Sequence, residues 1–256
     1  MPVMKIAFLF MFYDDHCKSD YMEEYFGEGS DKYNIYTHFK NLDGDKKSEY
    51  FGKYSISKHI ETQHTDVSLL ECQLNLLEAA LEQRDNQWFV FMSGSCLPIK
   101  PLSVLYNFLD SNKFSFFDTD CHPEPQLTVR FLNDWIGEWN RSHMNYNFLK
   151  LKKHSQWCIL NRMDAEILVS TKTKHLPAWK DLQYKFNRGF AKDEFYPLAV
   201  LNHEIKNYQY NDRPTTYVKW LEGQWRPETF TAIDFSNSEY KSSFFIRKVN
   251  DQTKIK

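Results

Sequence analysis

Unbroken apolar runs alternate with polar stretches through the first half of the chain, and the runs are of two kinds. Lys5–Phe12 and Tyr33–His38 are short and rich in aromatic and β-branched residues, as buried strands are. Val67, Leu70, Leu74, Leu77 and Leu81 instead recur at helical spacing, with Asp66 placed to cap the first turn. Trp88–Met92 is again a continuous run of β-favouring residues. It breaks into Ser93-Gly94-Ser95-Cys96, and Pro98 and Pro101 stop the strand and stiffen the segment beyond it. Asn41–Gly52 reads as loop and Tyr54–Ser57 as a third short strand. A helix is expected over Leu102–Leu109 and a strand over Lys113–Phe117. Strands alternating with helices predict parallel pairing through right-handed crossovers. A buried strand that opens into small polar residues is how α/β proteins place a ligand site at a strand's carboxyl end.

After Asp118 the rhythm changes. Asp118–Pro125 reads as loop and Trp157–Leu160 as a strand. Helices are expected over Phe131–Trp139, Asp164–Ser170 (capped by Asp164), Lys180–Asn187 and Glu194–Leu201. The last forty residues carry short strand-like pieces. No repeat or linker interrupts the chain. A single domain over residues 1–256 is expected, its pattern changing at about 117/118.

Composition narrows the class of partner. A net charge of −2 gives no basic field for nucleic acid. Aromatic content of 17% suits either an aromatic core or grooves that stack sugar rings. The apolar run Ile6–Phe12 is too short to cross a bilayer, and no small-residue cleavage site comes after it. Five scattered cysteines lack metal-type spacing and suit reduced thiols. The expectation is a cytoplasmic protein without a transmembrane segment.

Specific words in the sequence go further. Ser93-Gly-Ser-Cys-Leu-Pro-Ile-Lys-Pro101 closely resembles the Leu-Ser-Gly-Ser-x-Leu-Pro-Leu segment of the core-2/I-branching glycosyltransferase family, which is related to the peptide O-xylosyltransferases. Lys5–Tyr13, Tyr33–His38, Asp66–Leu81, Ser155-Gln-Trp157, Asp193-Glu194, Thr216–Trp220, Arg226–Phe230 and Phe245–Val249 are similar to further family segments and stand in family order. The resemblance implies a GT-A-type nucleotide-diphospho-sugar transferase fold, with a mixed central sheet flanked by helices, a nucleotide-binding half to about 117 and an acceptor and catalytic half from about 118. It implies transfer of a GlcNAc- or xylose-like sugar from a UDP-sugar to a glycan or glycoprotein hydroxyl, with inversion to a β linkage.

Such a transfer needs a base for the acceptor hydroxyl, positive charge for the departing diphosphate and a pocket that aligns the attack. On its own, an acid in the first turn of a helix only complements the helix dipole. The resemblance places the family's catalytic glutamate at Glu194, with Asp193 as the capping residue. On the donor side it implies Arg226 and Lys248, with Arg247, His38, Ser93 and Ser95 beside them. Ser93 and Ser95 equally suit a tight turn, and Trp157 equally suits a core. On the acceptor side it implies Trp157 and Asp118. Metal-using GT-A enzymes carry an Asp-x-Asp where this chain has Ser93-Gly94-Ser95. Hydroxyls are poor ligands for Mg²⁺, so no metal cofactor is expected. Asp118-Thr119-Asp120 is a second short acidic match, read here as acceptor-side loop. Lys40 stands where the family has a nucleoside-binding aspartate, with Asp43 three residues on, so the identity of the base is open. The competing reading is a catalytically inactive nucleotide-sugar or carbohydrate-binding protein of the same fold.

Overall fold

A computed structural model describes residues 4–27, 31–41, 49–121, 152–185, 191–221, 224 and 226–256. Strand β1 (Lys5–Phe12) is central because its apolar run leaves no solvated face. Ile6 to Phe10 are fully buried between parallel neighbours β2 (Tyr33–Phe39) and β3 (Asn86–Ser93). Helix α1 (Ser19–Phe26) comes after β1, and the short α2 (Glu49–Gly52) after β2. Helix α3 (Val67–Leu81) crosses back to β3, and Asp66 caps it by accepting the Ser68 N–H at 2.8 Å.

The main sheet then stops being parallel. β6 (Ile159–Asn161) runs antiparallel to β3 and to the two-residue β5 (Phe116–Phe117), which pairs in parallel with β7 (Asn211–Asp212). The order is β2-β1-β3-β6-β5-β7, a mixed sheet flanked by helices, as the fold class expected. A second sheet, β4-β10-β8, joins β4 (Cys96–Pro98), β10 (Phe245–Arg247) and β8 (Thr216–Val218). Pro98 is therefore the last residue of a separate short strand rather than the stop of β3. An edge strand tolerates its missing N–H. Helix α4 (Leu102–Asp110) starts directly after Pro101, and β9 (Ala232–Ile233) pairs with β11 (Lys254–Ile255) near the C-terminus.

Several expectations are corrected. Tyr54–Ser57 is not a strand. Thr37 donates its N–H to the Tyr54 carbonyl and accepts from the Ile56 N–H in an isolated bridge, while the Tyr54 and Ser55 N–H groups turn back to the Phe51 and Gly52 carbonyls. Helix α5 spans Arg162–Ser170 and is capped by Asn161, not Asp164. Asp164 is buried instead, where it accepts from Ser115 Oγ and Tyr208 Oη. Helix α6 (Lys172–Lys185) begins eight residues earlier than its polar pattern suggested and holds Pro177. A 3₁₀ turn (Lys192–Glu194) precedes helix α7 (Tyr196–Glu204). The expected helix at Phe131–Trp139 lies outside the described residues. Among those described, no helix is long and apolar enough to cross a membrane.

Candidate active site

The carboxyl end of β3 turns sharply because Gly94 is pressed against the chain leaving β1. A Cβ at Gly94 would stand 2.4 Å from the Asp15 carbonyl oxygen and 3.2 Å from the Phe12 ring. Hydrogen bonds from two distant segments hold the turn. Cys17 N–H donates to the Gly94 carbonyl at 2.9 Å, and Val249 N–H donates to the Ser95 carbonyl at 3.1 Å. His16 Nε2 donates to the Cys96 carbonyl at 2.7 Å, while its Nδ1 accepts the Lys18 N–H at 2.9 Å. A carbonyl only accepts, so these partners fix the neutral tautomer. Burial agrees with them, lowering the His16 pKa to about 4.

Arg247 leans over this turn from the end of β10. Its Nη1 donates to Ser93 Oγ and, at 2.6 Å, to Ser95 Oγ, and its guanidinium lies 4.6 Å above the Trp157 ring. Lys248 is next in the chain. Its pKa is lowered first by burial and then by the charges of Arg247 and Arg226, so the three cations lie within electrostatic reach of one another. Among the described residues none of the three has a carboxylate partner. Like charges gathered without counter-charge raise the energy of the site until an anion enters it.

The segment Lys153–Trp157 joins this cationic corner to an acidic one. His154 N–H donates to the Glu194 carbonyl at 2.9 Å, and Ser155 N–H donates to the Asp118 carbonyl at 2.8 Å. From His154 to Trp157 three residues can span at most about 11 Å. This short segment thus ties the Glu194 backbone at one end to the Trp157 ring beneath Arg247 at the other. Lys153 Nζ pairs with Glu194 Oε2 at 3.1 Å, with both side chains partly exposed. Asp193 is fully buried and caps no helix, correcting that expectation. Burial, then the neighbouring Glu194 charge, pushes its carboxyl up. Burial also raises Asp118 to about 6, with the charges of Asp212 and Asp120 adding to the effect and the Asp120 N–H opposing it. Cys121 responds to the charges of Asp118, Glu194 and Lys153, which places all four on this side.

Two expected residues are placed differently from the rest. Trp157 is 9% exposed, with Arg247 covering one face, so it supports a cation before it can offer a platform to a sugar. His38 is buried at the end of β2. Its Nε2 accepts the Ile60 N–H at 3.1 Å and its ring stacks on His59. Burial, with His59 beside it, lowers its pKa to about 4. Arg226 enters the site only through its charge on Lys248. Lys153 went unnoticed in the sequence, where the only hint was a pair of lysines just before His154-Ser-Gln-Trp157. Lys40 lies over the Tyr13 ring at 4.8 Å, and Asp43 lies outside the described residues.

The donor set of the Ser93–Ser95 turn is two hydroxyls already bound to a guanidinium. Neutral hydroxyls are weak ligands for a hard divalent cation, which prefers carboxylate oxygen.

The chain is similar to known proteins. The family model described as Core-2/I-Branching enzyme matches residues 6–243. "Glycosyltransferase BC10" of Oryza sativa subsp. japonica is 25% identical over 247 residues, covering 84% of this chain. The chain spans 59% of the rice protein's length. The crystal structure of mouse xyloside xylosyltransferase 1 in its apo form aligns over 95% of this chain and 86% of its own, at 10% identity. Its TM-score of 0.40 is too low to carry an argument.

Proposed function

The chain belongs to the core-2/I-branching enzyme family, and from that premise we propose that it is an inverting, metal-independent glycosyltransferase using a UDP-sugar donor. The observation that carries the reading is the gathering of Arg226, Arg247 and Lys248, without carboxylate partners among the described residues, at the carboxyl end of β3. A nucleoside diphosphate supplies the negative charge that this corner lacks.

In the proposed reaction the acceptor hydroxyl oxygen bonds to the anomeric carbon as the bond from that carbon to the diphosphate oxygen breaks. Glu194 takes the hydroxyl proton, and Lys153 holds its carboxylate in place. The charge left on UDP falls to Arg247, Lys248 and Arg226, with guanidinium and ammonium donors aimed at the leaving oxygen. Ser93 and Ser95 fix Arg247, and Trp157 backs it at the boundary between donor and acceptor sides. Asp118, its carboxyl raised by burial to about 6, faces the acceptor. His38 shapes the floor under the nucleoside. With Glu194 as base and no other carboxylate of the acidic corner assigned as nucleophile, the reaction is a single displacement that gives a β-linked product.

The test is a panel of UDP-sugars with glycan acceptors, run in EDTA, with UDP release and the product's anomeric proton signal as readouts. Turnover to a β-linked product in chelator supports the proposal. An α-linked product would overturn the inverting mechanism, and activity lost in EDTA and restored by Mn²⁺ would overturn metal independence.

A further inference from the structure

A second cluster of ligating side chains lies outside the candidate active site, where the start of α6 meets the end of α7. His175 Nε2 donates to Glu204 Oε1 at 2.6 Å, and His203 Nδ1 donates to the same oxygen at 3.0 Å. Lys174 Nζ adds a third donor at 2.7 Å. The two imidazole nitrogens and the carboxylate oxygen lie within 4.8 Å of one another.

We propose that His175, His203 and Glu204 form a binding site for one divalent transition-metal ion of the zinc type, which staples α6 to α7. Two neutral imidazoles and a carboxylate are the donors such ions select, whereas Mg²⁺ and Ca²⁺ prefer all-oxygen shells. Zinc–ligand distances of about 2.0–2.1 Å in a tetrahedron put neighbouring ligand atoms about 3.4 Å apart. The present separations from Glu204 Oε1 fall short of that by less than an ångström, so the ion replaces two hydrogen-bonding protons and the side chains open slightly. His203 and Glu204 lie in the last turn of α7, where the helix's partial negative charge favours a cation. His175 is fully buried, so its imidazole is held in place by the packing around it.

One lysine at the cluster opposes the ion. Lys174 is 56% exposed and can swing into solvent. The site is independent of the proposed transfer chemistry, but α7 begins two residues after Glu194, and Trp179 of α6 already packs edge-on to Tyr196 at 5.5 Å. Metal here would stiffen the helix behind the acidic corner.

The whole chain, stripped with EDTA and dialysed, is titrated with Zn²⁺ alone by calorimetry, and Zn²⁺-dependent melting is measured alongside. One ion per chain and a raised melting temperature are expected. His203→Ala and Glu204→Gln alter partly exposed positions and need not disturb the core that holds His175. Each should bind Zn²⁺ at least roughly 100-fold more weakly, since losing a ligand exceeds the 10–100-fold cost of losing an outer-shell partner. Lys174→Ala, which removes the competing cation, should bind it more tightly. Absence of stoichiometric binding, or binding unchanged in both His203→Ala and Glu204→Gln, would overturn the proposal.

Discussion

Arg247→Ala separates two roles that the guanidinium combines. It removes two charge-assisted hydrogen bonds to Ser93 and Ser95 and a contact with the Trp157 face. Arg247 is partly exposed, so the freed hydroxyls rehydrate. The loss of folding stability should be about 1–2 kcal/mol, within what such bonds and a cation–π contact contribute at accessible sites. UDP affinity should suffer more. A charged hydrogen bond to the diphosphate is worth about 1.5–3 kcal/mol, which weakens UDP binding roughly 10- to 150-fold. Arg247→Lys keeps the charge but replaces the planar guanidinium over Trp157 with a compact ammonium on a different stem, so its affinity should fall between the other two. Calorimetric titration of the three proteins with UDP, beside their melting curves, reads both effects. An alanine variant that melts earlier yet binds UDP within about twofold of the parent would refute the reasoning, leaving Arg247 as a clamp on the turn and the diphosphate elsewhere.

Gly94→Ala places a Cβ 2.4 Å from the Asp15 carbonyl. It should cost about 1–3 kcal/mol, as overpacking does, and weaken UDP binding by displacing Ser93 and Ser95. Unchanged melting and affinity would show that the turn yields freely. His16 titrates near 6.5 when unfolded but at about 4 in the fold. Between those values the unfolded chain takes up a proton that the native state refuses, so stability falls as pH falls. From pH 7 to pH 5 this one group should remove about 2 kcal/mol. Urea unfolding at both pH values should therefore show a shallower acid loss in His16→Gln than in the parent, and equal losses would contradict the buried neutral tautomer.

The sequence made the first half of the fold legible because its elements bury whole faces. β1, β3 and α3 are long apolar patterns with clear ends, and Asp66 caps as its position suggested. The second half was harder because its strands are two or three residues long and take their pairing from distant segments. Phe116 pairs with Asn211, and Arg247 with Cys96 and Val218, across separations that no local pattern records. Asp164 and Asp193 were both read as caps and are both buried, since an acid before a helix looks the same whether it faces water or a core. Family resemblance singled out Glu194, Lys248 and the Ser93–Ser95 turn. It could not reveal that Arg247 binds both serines or that Lys153 pairs with Glu194, because those contacts depend on how β10 and the 153–157 segment close around the turn.

The most direct test of the account is UDP release by Glu194→Gln, measured beside its UDP affinity. The amide keeps the shape of the side chain but removes the base, and the ion pair of Glu194 among the described residues is with Lys153, not with the three cations. Turnover should fall by roughly 10²-fold or more, the range for loss of a general base, while UDP binding stays close to that of the parent. Turnover equal to the parent's, or UDP binding lost together with activity, would contradict the assignment of Glu194 as the base and of the cationic corner as the donor site.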